Sequence, residues 1–342
     1  MKLLICTQKV DKNDPVLGFF HRWLEEFAKH AEHVHVVALG VGEHTLPQNV
    51  TVYSLGKEVG RGNKLIFSFR FIRLIFSLRK EYDSVFVHMN PEYVVLGGLF
   101  WRALKKKVTL WYAHKSVTKL LALAPYFVEV IFTPSAQSLR LKTLKKKIMG
   151  HGIDTSFFLP QNAPLGPSVR CITVSRLSPV KQVDLIIRAL SRLPSQVTLT
   201  VVGSGSLEYE EALREIGKEI GVSERISWLG ALPQEKMREQ LKDHHLFLHA
   251  SETGSMDKAP LEALATGMPV VTTNIELCRA TPGATIFSVA DPSLYALEAQ
   301  NVIDKALWNM PEVRESARSF IMENHNLTHL VQRIANYLSS AQ

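Results

Sequence analysis

The sequence predicts an α/β protein built on two parallel sheets, each covered by helices on both faces. Short apolar runs alternate with amphipathic stretches along almost the whole chain, which is the pattern of strand and crossover helix. A length of 342 residues suits two such domains of ordinary size. A composition 46% hydrophobic and 21% charged belongs to a chain able to bury two cores.

Taken in order, the first half is expected to place strands near residues 2–6, 33–39, 50–54, 84–88, 107–112, 128–133 and 147–150. Helices are expected near 18–30, 64–80, 92–104 and 135–143. The opening apolar run, Leu3 to Cys6, is too short for a signal-peptide core and reads as a buried first strand, so a cytoplasmic protein is expected. In the second half strands are expected near 170–175, 197–203, 225–229, 245–249, 269–273 and 284–287. The helices there fall near 180–192, 207–220, 234–241, 258–266, 292–308, 310–323 and 326–340. Between the halves, Leu159 to Pro167 carries three prolines and a glycine and is the one obvious linker. It places the domains at 1–163 and 164–342.

Cys6, Cys171 and Cys278 are far apart and odd in number, which indicates neither a disulfide framework nor a zinc site. Charge is divided unevenly. Residues 1–160 hold 23 Lys and Arg against 12 Asp and Glu, a net +11, while residues 161–342 hold 17 against 20, a net −3. The first half therefore calls for an anionic partner. Within it, Lys64 to Lys80 is very apolar but interrupted by Arg70 and Arg73, too short and too charged for a comfortable membrane span. Such a helix packs on the sheet with its basic edge in water, or lies on an anionic membrane surface. The clusters Lys105 to Lys107 and Lys145 to Lys147 precede strands and are either further basic patches or solvated strand ends.

Residues 251–274 read as a glycine-containing loop, a short helix, a glycine stop and a buried strand. Asp257 is placed to cap the helix, Pro260 is tolerated in its first turn, and Gly267 suits the left-handed residue that ends it. A helix start of this kind attracts phosphate. Glu262, one turn inside on the face of Lys258, is better suited to accept hydrogen bonds from a diol. An ordinary helix-to-strand unit with a surface glutamate is the plainer reading. Residues 171–190 read as a strand, a tight loop carrying Arg176 and Lys181, and an amphipathic helix; two cations beside a strand end can clamp a diphosphate.

These segments, with their spacing, resemble the nucleotide-sugar half of the family 4 glycosyltransferases. The resemblance rests on an ordered set of motifs. They are His151-Gly152-Ile153-Asp154 with Phe157, Ser175-Arg176-Leu177 with Lys181, Val201-Val202-Gly203-Ser204-Gly205, Ile226-Ser227-Trp228-Leu229-Gly230, and Leu261-Glu262-Ala263-Leu264-Ala265 with Gly267 and Pro269. It covers residues 150–275 closely and 1–150 loosely. It implies two Rossmann-like domains with parallel sheets facing across a cleft, the GT-B arrangement, with the last helix returning to the first domain. It implies a retaining, metal-independent transfer of a sugar from a nucleotide-sugar donor to a hydroxyl acceptor, with the donor as co-substrate and no further cofactor. The similar bacterial enzymes often act on lipid-linked acceptors at the cytoplasmic leaflet, so a lipid-linked or cell-envelope glycan precursor is expected.

By this resemblance Glu262 binds the donor ribose, and Arg176 and Lys181 stabilise the leaving diphosphate. The family usually has another glutamate eight positions earlier, where this chain has Gly254. Glu252, Asp257 and Lys258, with the backbone of Gly254, Ser255 and Met256, are the candidates to hold sugar and phosphate instead, and Asp257 serves equally well as a cap. Gly203 and Leu229 border the nucleotide. His114 matches the family's strand-end histidine and contacts the donor sugar or polarises the reacting centre, unless it is a buried core residue. His88 is a weaker candidate for the acceptor. Gly18 opens a helix whose amides face the diphosphate, though the usual glycine pair is missing. Two other readings compete: a nucleotide-sugar epimerase of the same fold, and a non-catalytic membrane- or anion-binding protein. Nucleic acid is not an expected partner.

Overall fold

The structure is a computed structural model that describes residues 1–60, 62–160, 166, 168–252, 256–281 and 283–340. It divides into two compact units, Met1–Gly152 with His325–Gln342, and Ile153–Asn324. The division precedes the proline-rich linker because Ile153, Phe157 and Phe158 are already buried in the core of the second unit.

The first unit contains β1 (Lys2–Val10), α1 (Phe19–Ala28), β2 (His33–Val41), β3 (Val50–Ser54), α2 (Lys64–Ser77), β4 (Ser84–His88) and α3 (Pro91–Ala103). After these come β5 (Lys107–Trp111), α4 (Lys119–Leu123), β6 (Val130–Thr133) and β7 (Lys146–Ile148). The strands form one parallel sheet in the order β3-β2-β1-β4-β5-β6-β7. Successive residues of β1 serve opposite faces. Leu3 and Ile5 join the core under α1, and Leu4 and Cys6 join the core under α2 and α3.

The second unit contains β8 (Val169–Val174), α5 (Val183–Leu190), β9 (Val197–Val202), α6 (Leu207–Glu219), β10 (Ile226–Gly230), α7 (Gln234–Lys242) and β11 (Leu246–His249). It continues with α8 (Lys258–Ala265), β12 (Val270–Thr272), α9 (Ile275–Ala280), β13 (Thr285–Phe287), α10 (Pro292–Asp304) and α11 (Pro311–Asn324). The sheet is again parallel, in the order β10-β9-β8-β11-β12-β13.

The last helix, α12 (Leu327–Ser339), belongs to the first unit. Leu327, Leu330, Val331, Ile334 and Leu338 form one apolar stripe that packs beside α1. Asn326 caps its start by accepting from the His329 amide at 3.0 Å. At its far end Lys107 Nζ donates to the Tyr337 and Ser340 carbonyls at 2.9 and 2.8 Å, and Ser84 Oγ donates to the Leu338 carbonyl at 3.0 Å. Lys107 is thus a buried C-terminal cap and not part of a basic patch. Lys145 is similarly engaged, with the Pro125 and Val128 carbonyls.

Two expectations fail at the level of elements. No helix forms over 135–143, where Ser135 Oγ takes the Ser138 amide at 3.2 Å and pairs with Ser138 Oγ at 2.8 Å, closing a turn that competes with helix. The helix expected from 180 begins at Val183, because Gln182 adopts a left-handed conformation, φ 44°. Among the described residues no helix is long and apolar enough to cross a membrane.

Candidate functional site

A parallel sheet offers a ligand site where neighbouring strands send their chains to opposite sides, because the two loops part and leave a crevice at the strand ends. In the second unit that point lies between β8 and β11. The loop after β8 brings Lys181, and the loop after β11 brings Asp257; their charged atoms meet at 2.6 Å. The same Asp257 oxygen lies 2.9 Å from His249 Nε2, and His249 Nδ1 is 2.8 Å from Thr272 Oγ1. Burial on its own would raise the Asp257 carboxyl, but the hydrogen bond and charge of His249, with those of Lys181, outweigh it and hold the group well below the usual carboxylate range. Asp257 occupies the N-cap position of α8 with extended backbone, yet its side chain does not cap the helix. Its carboxylate is turned to Lys181 and His249 instead, which corrects the capping expectation.

Next to this cluster Gln182 Nε2 donates to Glu252 Oε1 at 3.0 Å, and the Glu252 amide donates to the Val180 carbonyl at 3.0 Å. The loops after β8 and β11 are therefore stitched together by side chain and backbone. The left-handed backbone of Gln182 is an unfavourable conformation for a residue with a Cβ, and it sits at the point where the two loops meet.

Glu262 lies on α8 with its side chain 10% exposed, between Lys258 Nζ at 3.1 Å and Gln234 Nε2 at 3.3 Å. Burial raises its carboxyl; Lys258 and Gln234 oppose the rise without cancelling it. Gly267, φ 83°, ends α8 as expected, and Arg318 of α11 holds the helix C-terminus by donating to the Ala265 carbonyl at 2.6 Å. The same guanidinium reaches the Phe158 and Thr155 carbonyls at 2.9 and 3.0 Å.

The glycines after β9 serve close approach. A Cβ on Gly203 would run into the Ser175 carbonyl oxygen and one on Gly205 into that of Leu177, so the loop bearing Arg176 lies directly against the end of β9. Arg176 is exposed, and Leu229 is 40% exposed on β10. Met256 and Lys258 flank Asp257, whereas Gly254 and Ser255 lie outside the described residues. Asp154 accepts from the Ser156 and Phe157 amides at 3.0 Å and so fixes its own loop.

In the first unit the corresponding strand-order reversal falls between β1 and β4. His88 ends β4 there but is a core residue, 1% exposed, stacked on Phe20 at 4.0 Å, with Nδ1 3.3 Å from Thr7 Oγ1. Its imidazole is enclosed by aromatic rings and does not reach an acceptor, which corrects that assignment. The residue after it, Met89, has φ 65°. Gly18 opens α1 as its N-cap residue; its amide donates to the Asp14 carbonyl at 2.9 Å, and the Val16 and Leu17 amides of the preceding loop donate to the Asp14 carboxylate. His114 is exposed beyond the end of β5, with Nδ1 accepting from the Ser116 amide at 3.1 Å, so the buried alternative is excluded.

Sequence reasoning missed His249 and Gln182. His249 looks like any residue of an apolar strand, and only its position beside the strand-order reversal gives it meaning. Among the described residues no group of three or more His, Cys, Asp or Glu is gathered as metal ligands would be.

Two parallel-sheet α/β units, the second with Lys181, Asp257 and the start of α8 at its strand-order reversal, have the fold of the GT-B class. The model of the glycosyl transferases group 1 family matches residues 168–305, which lie within the second unit. It is similar to a phosphatidylinositol N-acetylglucosaminyltransferase chain of Arabidopsis thaliana, 31% identical over 141 residues, covering 40% of this chain and 31% of the relative. It is also similar to D-inositol 3-phosphate glycosyltransferase of Nocardia farcinica, 32% identical over 110 residues, covering 30% of this chain and 24% of the relative. The chain thus spans well under half the length of the curated relatives it matches. Among solved structures, HepE of Anabaena in complex with UDP and glucose superposes with a TM-score of 0.77 at 18% identity, covering 100% of both chains. WaaG, a glycosyltransferase involved in lipopolysaccharide biosynthesis, gives 0.69 at 15% identity, covering 99% of this chain and 100% of that one. At these identities the likeness is one of fold.

Proposed function

We propose that this protein is a retaining glycosyltransferase that moves a sugar from a nucleotide-sugar donor to a hydroxyl of a lipid-linked or cell-envelope glycan precursor. The observation that carries the reading is the meeting of Lys181, Asp257 and His249 at the strand-order reversal of the second unit, beside the start of α8 and its buried Glu262. The name of the similar phosphatidylinositol N-acetylglucosaminyltransferase supports a lipid-linked acceptor.

In this reading Arg176 and Lys181 stabilise the leaving diphosphate, and the α8 amides add the positive end of the helix dipole. Lys181 exchanges the Asp257 carboxylate for a phosphate oxygen when the donor binds. Asp257 is then available to the sugar hydroxyls, together with Lys258, Glu252 and the backbone around Gly254, Ser255 and Met256. Glu262 accepts from the ribose diol, while Gly203 and Leu229 border the nucleotide. His114 polarises the reacting centre. Retention proceeds by front-face attack in which the departing phosphate oxygen takes the acceptor proton, so no side-chain base, metal or further cofactor is required.

The test is release of nucleoside diphosphate from UDP-, GDP- and ADP-sugars, with and without hydroxyl acceptors. One nucleotide class should turn over, and Arg176→Ala with Lys181→Ala should lower kcat/KM by roughly a hundredfold or more, the scale of losing transition-state charge stabilisation. A product that keeps its nucleotide and changes only the sugar's configuration would make the protein an epimerase instead.

A further inference from the structure

We propose that His249 is a positioning residue of the donor site: it holds the Asp257 carboxylate away from the first amides of α8, leaving them and Lys181 to a diphosphate. This role rests on the nucleotide-sugar reading of the second unit, in which His249 itself touches no substrate. Asp257 has every local reason to cap α8. It stands at the N-cap with φ −78° and ψ 153°, the extended backbone of a capping residue, and aspartate is among the side chains that cap best. Position N3 is Pro260, which has no amide hydrogen, so the Ala259 amide at N2 is the donor a cap would take. The carboxylate makes no such bond. Its Oδ2 lies instead 2.9 Å from His249 Nε2 and 2.6 Å from Lys181 Nζ. A diphosphate that draws Lys181 away leaves His249 holding Oδ2. Without that hold the carboxylate would turn onto the Ala259 amide and set a negative charge where phosphate oxygens have to sit.

The surroundings of His249 fix it for this task. It ends β11 after Leu246, Phe247 and Leu248 and is buried with them. An ionised carboxylate only accepts, so Nε2 carries the hydrogen directed at Asp257. Nδ1 is 2.8 Å from Thr272 Oγ1, a buried hydroxyl that already accepts from the Asn274 amide at 2.9 Å and has its own hydrogen to give. The buried Tyr295 hydroxyl donates to the His249 carbonyl at 3.1 Å and to the Val271 carbonyl at 2.9 Å, tying the backbone of His249 to β12. A ring held at both nitrogens, on a backbone held at its carbonyl, stays in place while Lys181 changes partner.

Calorimetric titration of the full chain with UDP, GDP and ADP, which carry the diphosphate without the sugar, reads the effect. His249→Ala should weaken binding of whichever nucleotide the wild type takes by roughly tenfold or more, the scale of losing a charge-assisted hydrogen bond. The loss should vanish when Asp257→Ala is added, because no carboxylate is left to restrain. His249→Gln, whose amide nitrogen reaches the place of Nε2, should recover most of the affinity, and the shorter His249→Asn should not. Amide exchange reads the same restraint without nucleotide. The Ala259 amide should exchange roughly fivefold more slowly in Lys181→Ala with His249→Ala than in Lys181→Ala alone, the scale of one helix cap. A loss in His249→Ala that persists with Asp257→Ala, or an Ala259 amide indifferent to His249, would overturn the proposal and leave the donor reading intact. A wild type that binds none of the three nucleotides would overturn the donor reading, and this role of His249 with it.

Discussion

Glu262 is a carboxylate held between Lys258 and Gln234 inside a helix whose other buried residues, Pro260, Leu261, Ala263, Leu264 and Ala265, are apolar. Burial lifts its pKa above the ordinary 4.5. A raised folded-state value means that the fold prefers the protonated form. The contribution to stability is complete below 4.5 and is lost as the pH rises through the folded value. Glu262→Gln should therefore melt above wild type at pH 7, with the gap closing toward pH 4.5, while thermal stabilisation by the donor nucleotide disappears. Scanning calorimetry across pH with and without nucleotide measures both effects, and a Glu262→Gln protein less stable than wild type at pH 7 would refute the electrostatic assignment. Glu262 and Lys181 are legible in the sequence because each sits in a local pattern of strand, loop and helix. Gln182 is not, since its partner Glu252 lies on a loop 70 residues away in the chain, and neither is His249, whose partners Asp257 and Thr272 are brought to it by the loop after its own strand and by the neighbouring strand. His88 misleads for a related reason: the end of a strand marks a site, but the rings of Phe20 and Trp23 that enclose it arrive from α1.

The helices differ in how they are held. α8 is short, and its C-terminal carbonyl at Ala265 depends on Arg318, which also takes the carbonyls of Thr155 and Phe158. Arg318→Ala leaves these partly buried acceptors without their donor and should cost about 2–3 kcal/mol, lowering the melting temperature of the second unit by roughly 5–10 °C. A change within error in chemical denaturation would show that water replaces the guanidinium without loss. Long periodic helices such as α6, α10 and α12 are readable from sequence because their apolar spacing repeats over several turns. α4 and α9 escape that reading, being five and six residues long, less than two turns of pattern. Residues 135–143 fail in the opposite direction, where serine hydroxyls satisfy the backbone locally and no ladder is needed.

For the whole molecule, the alternation of strand and helix makes both parallel sheets legible from the order of residues. Strand order is less so, because it depends on which faces the crossover helices cover. The unit boundary is also hidden: prolines mark a linker, but burial of Ile153, Phe157 and Phe158 moves the division upstream. The return of α12 to the first unit makes that unit discontinuous in sequence. Leu327, Leu330, Val331, Ile334 and Leu338 together bury apolar surface worth roughly 1.5–3 kcal/mol per side chain, comparable with the entire stability of a domain. A chain ending at Asn324 should lose hydrogen-exchange protection in β1 to β5 while β8 to β13 remain protected. Retained protection in β1 would show that the first unit does not need α12.

The claim on which the rest depends is that the second unit binds a nucleotide sugar through Arg176, Lys181 and Glu262. Calorimetric titration of the full chain with UDP-, GDP- and ADP-sugars tests it most directly. The account expects saturable one-site binding of one nucleotide class, weakened roughly a hundredfold or more by Arg176→Ala with Lys181→Ala, since each removes a charge-assisted contact worth about 1.5–3 kcal/mol. No binding of any of the three, or equal affinity in wild type and variant, would contradict it.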